Sequence, residues 1–401
     1  MKYIRLAGAA IITMTLGILY AWSIFRAPLS AMFDTWTSVN LSWIFTISML
    51  GFLVGGLISG RLVKTMKHRY VLLIAAASTL IGFLNLSRID STDPEKSLIF
   101  MLVFYGVFCG IGLGMPYYAI LGAMLEWFPG KEGFASGVLM MGLGFGGLIT
   151  GNIIDTLITS FGLNQTFIVL AICVTPIIGI GYFFISTPST SIKSNSAKTE
   201  VLPVTNAPIL GELTAGHMVK TSAFLILFLH IISITMGGLM IMNSAASISL
   251  YFGYTASLGL IATIFSGIAR FAFGLFTDHF GGRKSMLLSA FCLIASGIVM
   301  VTGILSGNYA LVIIGLPLAG LAHGSSPVIT SVYVNHCFGS KNYTHNLSIV
   351  SLAVMVSSVI GPVLSGTLQD NSGGSYNGTF ILVGIMGIVA LLLSLKVRKD
   401  I

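Results

Sequence analysis

The chain has 401 residues, of which 55% are hydrophobic and only 8% charged, with a net charge of +8 and a mean hydropathy of +0.96. A soluble domain carries roughly 25% charged residues, and a globule with so few would expose large apolar patches. Composition thus excludes an ordinary soluble enzyme, a disordered chain and a nucleic-acid-binding module, and it points to a polytopic α-helical membrane protein.

A helix needs about 20 apolar residues to cross a bilayer. Twelve such runs follow one another, near 4–26, 40–62, 69–88, 97–124, 133–155, 164–186, 221–244, 257–278, 285–306, 309–334, 346–368 and 376–396. The first is too long for a signal peptide and is followed by no small-residue cleavage site, so it reads as a retained helix. Glycine recurs at four-residue spacing, as at Gly106, Gly110 and Gly114, which suits close helix packing in a membrane. A β-barrel would need short alternating segments, and none occur. The cysteines Cys109, Cys173, Cys292 and Cys337 are scattered and show neither metal-ligand nor disulfide spacing.

Between the sixth and seventh spans runs a polar stretch with three prolines, Pro188, Pro203 and Pro208. It reads as a linker. The expected domains are a six-helix bundle over 1–186, a linker over 187–220 and a second six-helix bundle over 221–401. Sixteen basic residues fall on the linker side and three, Arg26, Arg88 and Lys96, on the other. Only Arg270 falls inside a span. The positive-inside rule then makes the linker and both termini cytoplasmic, in a cell membrane.

The halves echo each other. The loop after span 2 runs from Gly60 to Arg69, and the loop after span 8 from Gly274 to Lys284; both are short, glycine-led and basic. Gly144 to Gly151 in span 5 is mirrored by Val359 to Gly366 in span 11. Two pseudo-symmetric six-helix halves predict a secondary transporter with a midplane site between them.

Arg270 is the candidate for that site. A charged residue at membrane depth faces the protein interior or a watery cavity, and a guanidinium fork suits a carboxylate. His323 in span 10 and His230 in span 7 are titratable at membrane depth and are candidates for proton coupling. For each, a neutral histidine bonding a neighbouring helix is the plainer alternative. The sequence carries no phosphate loop, no histidine–cysteine metal spacing and no nucleophile–base arrangement, so neither an enzyme nor a cofactor is expected.

Gly274, Asp278, Gly281, Arg283 and Lys284 resemble the signature loop of the major facilitator superfamily. In the first half the same loop is altered: Lys64 stands at the aspartate position and Lys67 at a glycine position. Further residues narrow the resemblance. They are Gly17 to Leu29 in span 1, Glu126 to Gly137 after span 4 with its Trp127-Phe128-Pro129 turn, Gly237 to Asn243 in span 7, and Arg270 in span 8. Taken together these look like the oxalate/formate antiporter family, which includes monocarboxylate carriers. The resemblance covers nearly the whole chain. It implies the twelve-helix facilitator fold, a gate at Gly274, Asp278, Arg283 and Lys284, and cavity tyrosines at Tyr20 and Tyr117. It also implies that His323 lines the pore. The chain departs from the family at two points. Oxalate exchangers carry a lysine in span 11, and no basic residue stands here from Asn346 through Leu395; animal-type monocarboxylate carriers place an aspartate where Ser266 stands.

The expected function is secondary transport of a small carboxylate, a monocarboxylate given one cavity cation, exchanged for a counter-anion or moved with a proton, by a monomer in a lipid bilayer. Efflux of neutral or cationic compounds is the alternative, disfavoured because span 5 has Gly146-Gly147 and no proline. A transporter-fold sensor would want a large soluble output domain, and the longest polar stretch is the linker.

Overall fold

The computed structural model describes residues 2–128, 132–185, 210–339 and 342–397, without the side chains of Lys64, Leu125, Glu132, Ser136, Asp278 and residues 343–345. Twelve helices are long and apolar enough to cross a membrane. They are α1 (Lys2–Met32), α2 (Ser38–Val63), α3 (His68–Leu86), α4 (Pro94–Met124), α5 (Gly137–Phe161), α6 (Leu163–Phe184), α7 (Ser222–Tyr251), α8 (Ala256–Thr277), α9 (Gly282–Ser306), α10 (Ala310–Phe338), α11 (Asn346–Asn371) and α12 (Asn377–Leu395). No strand occurs among the described residues. The expected all-α membrane architecture is the one observed.

Local chemistry sets several starts. Thr37 caps α2: its hydroxyl accepts from Asn40 N at 3.2 Å, and Asn40 Oδ1 accepts from Thr37 N at 3.1 Å. Asp93 caps α4 ahead of Pro94, accepting from Lys96 N at 3.1 Å. Thr221 caps α7 through Phe224 N at 3.1 Å.

Among the described residues, α8 and α11 are interrupted by single turns at Leu260 and Ser351, and α1 and α4 change helix type. α1 tightens to a 3-10 turn over Gly17–Ala21, where Gly17 lies against the backbone of Leu143, Gly146 and Gly147 on α5. α4 widens to a π-helix over Met101–Cys109.

The helices form two compact units, Met1–Pro203 and Val204–Ile401. Each repeats one pairing scheme: α1 packs on α5 as α7 packs on α11, α2 on α4 as α8 on α10, and α3 on α6 as α9 on α12. Residues 210–220, read from sequence as the end of the linker, are held by the second unit. Leu210 N and Leu213 N donate to Cys337 O and Phe338 O at 3.1 and 3.0 Å. Asn342 and Asn346 donate through Nδ2 to Leu213 O at 3.2 and 3.0 Å. Residues 187–209 of the expected linker lie outside the described residues.

One sequence expectation is corrected. α1 continues through Pro28 to Met32, so Arg26 is inside a helix and only 3% exposed, and not in an outer loop. Arg26 and Pro28 interrupt the apolar run in sequence, yet the backbone stays helical through both.

Candidate functional site

The second unit gathers its polar chemistry where α8 crosses α10. The crossing is close because Gly320 and Gly324 of α10 present no side chain. A Cβ on Gly320 would collide with Ala262 O, and one on Gly324 with Ser266 O. Backbones that approach this closely leave room only for small residues between them.

His323 sits inside that crossing, buried, with Nδ1 3.1 Å from Ser266 Oγ. On its other side the ring lies against Gly238 of α7, where a Cβ would meet His323 Cβ and come within 3.0 Å of Cγ and Cδ2. Thus α7, α8 and α10 together fix the imidazole. Arg270 stands one helical turn beyond Ser266 on the same face of α8. It is 9% exposed and within electrostatic reach of His323. Two of the residues singled out from sequence, Arg270 and His323, are therefore brought together, with Ser266 as the link between them. Sequence reasoning noted Ser266 only as a missing aspartate.

His230 is elsewhere in this unit. It is fully buried between α7, α9 and α12. Its Nδ1 lies 3.2 Å from Ala390 O and 3.3 Å from Ser394 Oγ, and its Nε2 lies 3.3 Å from Ser289 Oγ. Both ring nitrogens are engaged between helices, and the structure does not bring this histidine to Arg270.

Tyr20 and Tyr117 belong to the first unit. Tyr20 is half-buried in the 3-10 turn of α1. Tyr117 is buried on α4, its ring 5.4 Å from Phe52 and 5.1 Å from Tyr118. Tyr118 covers Gly56 of α2, where a Cβ would come within 2.5 Å of its ring.

The residues expected from sequence to form a gate lie on and beside the α8–α9 turn. Gly281 takes φ +87°, a conformation that L side chains avoid. Thr277 Oγ1 and Ser285 Oγ join the two helix ends at 2.8 Å. Gly274 has open space at its Cα, Arg283 Nε is buried without a hydrogen bond, and Lys284 Nζ lies over the Phe280 ring at 5.5 Å. The side chain of Asp278 lies outside the described residues. In the first half the corresponding residue Lys67 has φ −67° and ψ 143°, an extended backbone that any residue adopts. That is why a lysine can stand where the second loop needs glycine.

The profile of the Major Facilitator Superfamily matches residues 9–264 and 223–400, together nearly the whole chain. The chain belongs to this superfamily of transporters. It is 24% identical to the oxalate:formate antiporter of Oxalobacter formigenes over 388 residues, 95% of this chain and 87% of that protein. It is 20% identical to the uncharacterized MFS-type transporter YhjX of Escherichia coli K12, over 89% of this chain and 86% of that one. A 51-residue stretch is 47% identical to apicoplast pyruvate carrier 1 of Toxoplasma gondii, spanning 13% of this chain and 9% of the carrier. The fold matches the inward-open xylose transporter XylE of Escherichia coli with a TM-score of 0.75 at 15% identity, covering 99% and 96% of the two chains. The facilitator fold and the membrane-transporter class expected from sequence are thereby established.

Proposed function

We propose that this facilitator carries small organic anions, specifically monocarboxylates of the formate, lactate or pyruvate type, by alternating access. The observation that carries the reading is Arg270. Among the described residues of the second unit, it is the only arginine or lysine with a buried side chain. A guanidinium offers a carboxylate two parallel N–H donors, and in a low-dielectric site that pairing is strong. His323, held by Ser266, orients the anion or takes up a proton with it. Tyr20 and Tyr117 supply hydroxyl donors and apolar ring surface. The names of two relatives, an oxalate:formate antiporter and a pyruvate carrier, agree with this class, and the first favours exchange over proton coupling. The α8–α9 turn, with Gly274, Asp278, Arg283 and Lys284, acts as a conformational gate. Sixteen basic residues stand towards the linker-side ends of the spans and three, Arg26, Arg88 and Lys96, towards the other. That imbalance supports a cytoplasmic position for both termini.

A ligand that binds only the folded state raises apparent stability. Purified protein is screened by thermal shift against formate, acetate, lactate, pyruvate, oxalate and neutral amides at two pH values, with Arg270→Lys alongside. Stabilisation by a monocarboxylate and not by amides, lost in the variant, is expected. No shift with any anion, or equal shifts in both proteins, would remove the anion reading.

A further inference from the structure

Arg26 has no part in the reading above. Its Nη1 donates to Ser42 Oγ on α2 at 3.3 Å, while Ser42 donates its own proton to Ser38 O at 2.8 Å. The serine oxygen therefore turns a lone pair to the guanidinium. Trp22 and Ser23 share the Arg26 face of α1, one turn earlier, and Thr46 lies one turn beyond Ser42 on the facing side of α2. All five side chains are buried, none more than 3% exposed.

Three polar atoms on these two faces make no hydrogen bond: Trp22 Nε1, Ser23 Oγ and Thr46 Oγ1. A helical serine or threonine can always donate to the carbonyl three or four residues back. Ser48 and Thr79 do so in this unit, at 2.7 and 2.9 Å; Ser23 and Thr46 do not. A buried donor without an acceptor is costly, and these three lie within one helical turn of Arg26 or Ser42 along their helices, so an anion reaching the guanidinium would find further donors nearby.

The backbone is irregular at the same level. The 3-10 turn of α1 ends at Ala21, immediately before Trp22. The π-helix of α4 carries Tyr105, whose ring meets Trp22 at 5.0 Å and Phe25 at 6.0 Å. Such departures inside long helices recur at functional sites.

We propose that Arg26, Trp22, Ser23, Ser42 and Thr46 form a second anion site, inside the first unit, that takes a small carboxylate. It rests on the organic-anion reading for the identity of the ligand; the cation and the unmatched donors stand without it. Among the described residues each unit then holds one buried arginine, and the carrier has two stations for anions.

The chain has four tryptophans, which permits 19F NMR of protein labelled with 5-fluorotryptophan, the Trp22 resonance being assigned with Trp22→Phe. Formate is titrated, with formamide as the neutral control. The Trp22 resonance is expected to shift saturably with formate and not with formamide. The shift is expected to vanish in Arg26→Gln and to need about 10-fold more formate in the near-isosteric Thr46→Val. It should persist in Arg270→Gln. A Trp22 resonance blind to formate, or moved equally by formamide, overturns the site; so does an unchanged response in Thr46→Val, whether or not Arg26→Gln folds. Loss of the shift in Arg270→Gln would reduce the two sites to one, at Arg270. Failure of the anion reading itself shows separately, as wild-type protein that moves no formate, lactate or pyruvate across proteoliposomes.

Discussion

The crossing of α2 with α4 and that of α8 with α10 are the same structure carrying different chemistry. In the first unit a Cβ on Gly110 would meet Ser48 O and one on Gly114 would meet Phe52 O; in the second, Gly320 meets Ala262 O and Gly324 meets Ser266 O. Pairing these contacts gives one residue correspondence between the two crossings, and it aligns Gly60 with Gly274, the leading glycines of the two loops. On that correspondence Phe52 is matched by Ser266, Gly56 by Arg270, Leu113 by His323 and Tyr117 by Pro327. One backbone scaffold thus presents a cation, an imidazole and a hydroxyl in the second unit. In the first it presents aromatic rings, with Tyr117 and Tyr118 on Phe52 and Tyr118 over Gly56. The close glycine contact belongs to the fold, because both halves keep it. At these matched positions the polar set occurs in the second crossing alone, which is what the proposed carboxylate site requires.

The sharpest way to break this correspondence is to fill the contact itself. Gly324→Val and Gly114→Val each force a side chain into a facing carbonyl, and each is expected to cost about 3 kcal/mol or more. Both should show as a large fall in detergent unfolding temperature. Tolerance of either would mean that the glycines are not the reason the helices approach.

Exchanging the matched residues tests the polar set. His323→Leu gives the second crossing the residue of the first; formate affinity is expected to fall roughly 10-fold, and loss of the bond to buried Ser266 Oγ to cost about 1–3 kcal/mol. Leu113→His does the reverse: it buries an imidazole without a designed partner and costs about 1–3 kcal/mol while leaving formate affinity in place. Isothermal titration and thermal unfolding separate the two outcomes.

His230 provides the control within one unit. His230→Leu removes the imidazole bonds that tie α7 to α9 and α12, while Ser289 Oγ still donates to Met286 O and Ser394 Oγ to Ala390 O, and is expected to destabilise by about 1–2 kcal/mol. Its formate affinity should stay within roughly 2-fold of wild type, since both ring nitrogens serve helix packing. A selective loss of affinity would move His230 into the site.

The smallest effect is expected at the two loops. Gly281→Ala must hold φ +87° and should cost about 1–2 kcal/mol. Lys67→Gly, on extended backbone, should change stability by less than about 1 kcal/mol.

Most of the fold was legible in the sequence. Twelve apolar runs, a polar break and two echoing loops give the helices and their division, because in a bilayer the backbone has few alternatives to the helix. The burial of Arg270 was legible too, since an arginine in the middle of an apolar run must turn to the protein interior, whether to bind an anion or to meet backbone carbonyls. The position of Arg26 was not. A helix end cannot be told from a loop when a charge and a proline stop the apolar run, and burial depends on Ser42, which belongs to another helix. The Ser266–His323 bond was hidden for the same reason. It joins residues 57 apart in sequence, and only the glycine crossing brings them into register. His230 and His323 looked alike as titratable groups in apolar helices; their partners, not their neighbours in sequence, distinguish them.

The central claim is that Arg270 binds a transported carboxylate. Its most direct test is exchange of labelled formate across proteoliposomes containing wild-type protein or Arg270→Gln, matched for folded protein by gel filtration. Saturable uptake by the wild type, reduced roughly 100-fold in the variant, is the predicted result. Equal uptake by both proteins would contradict it.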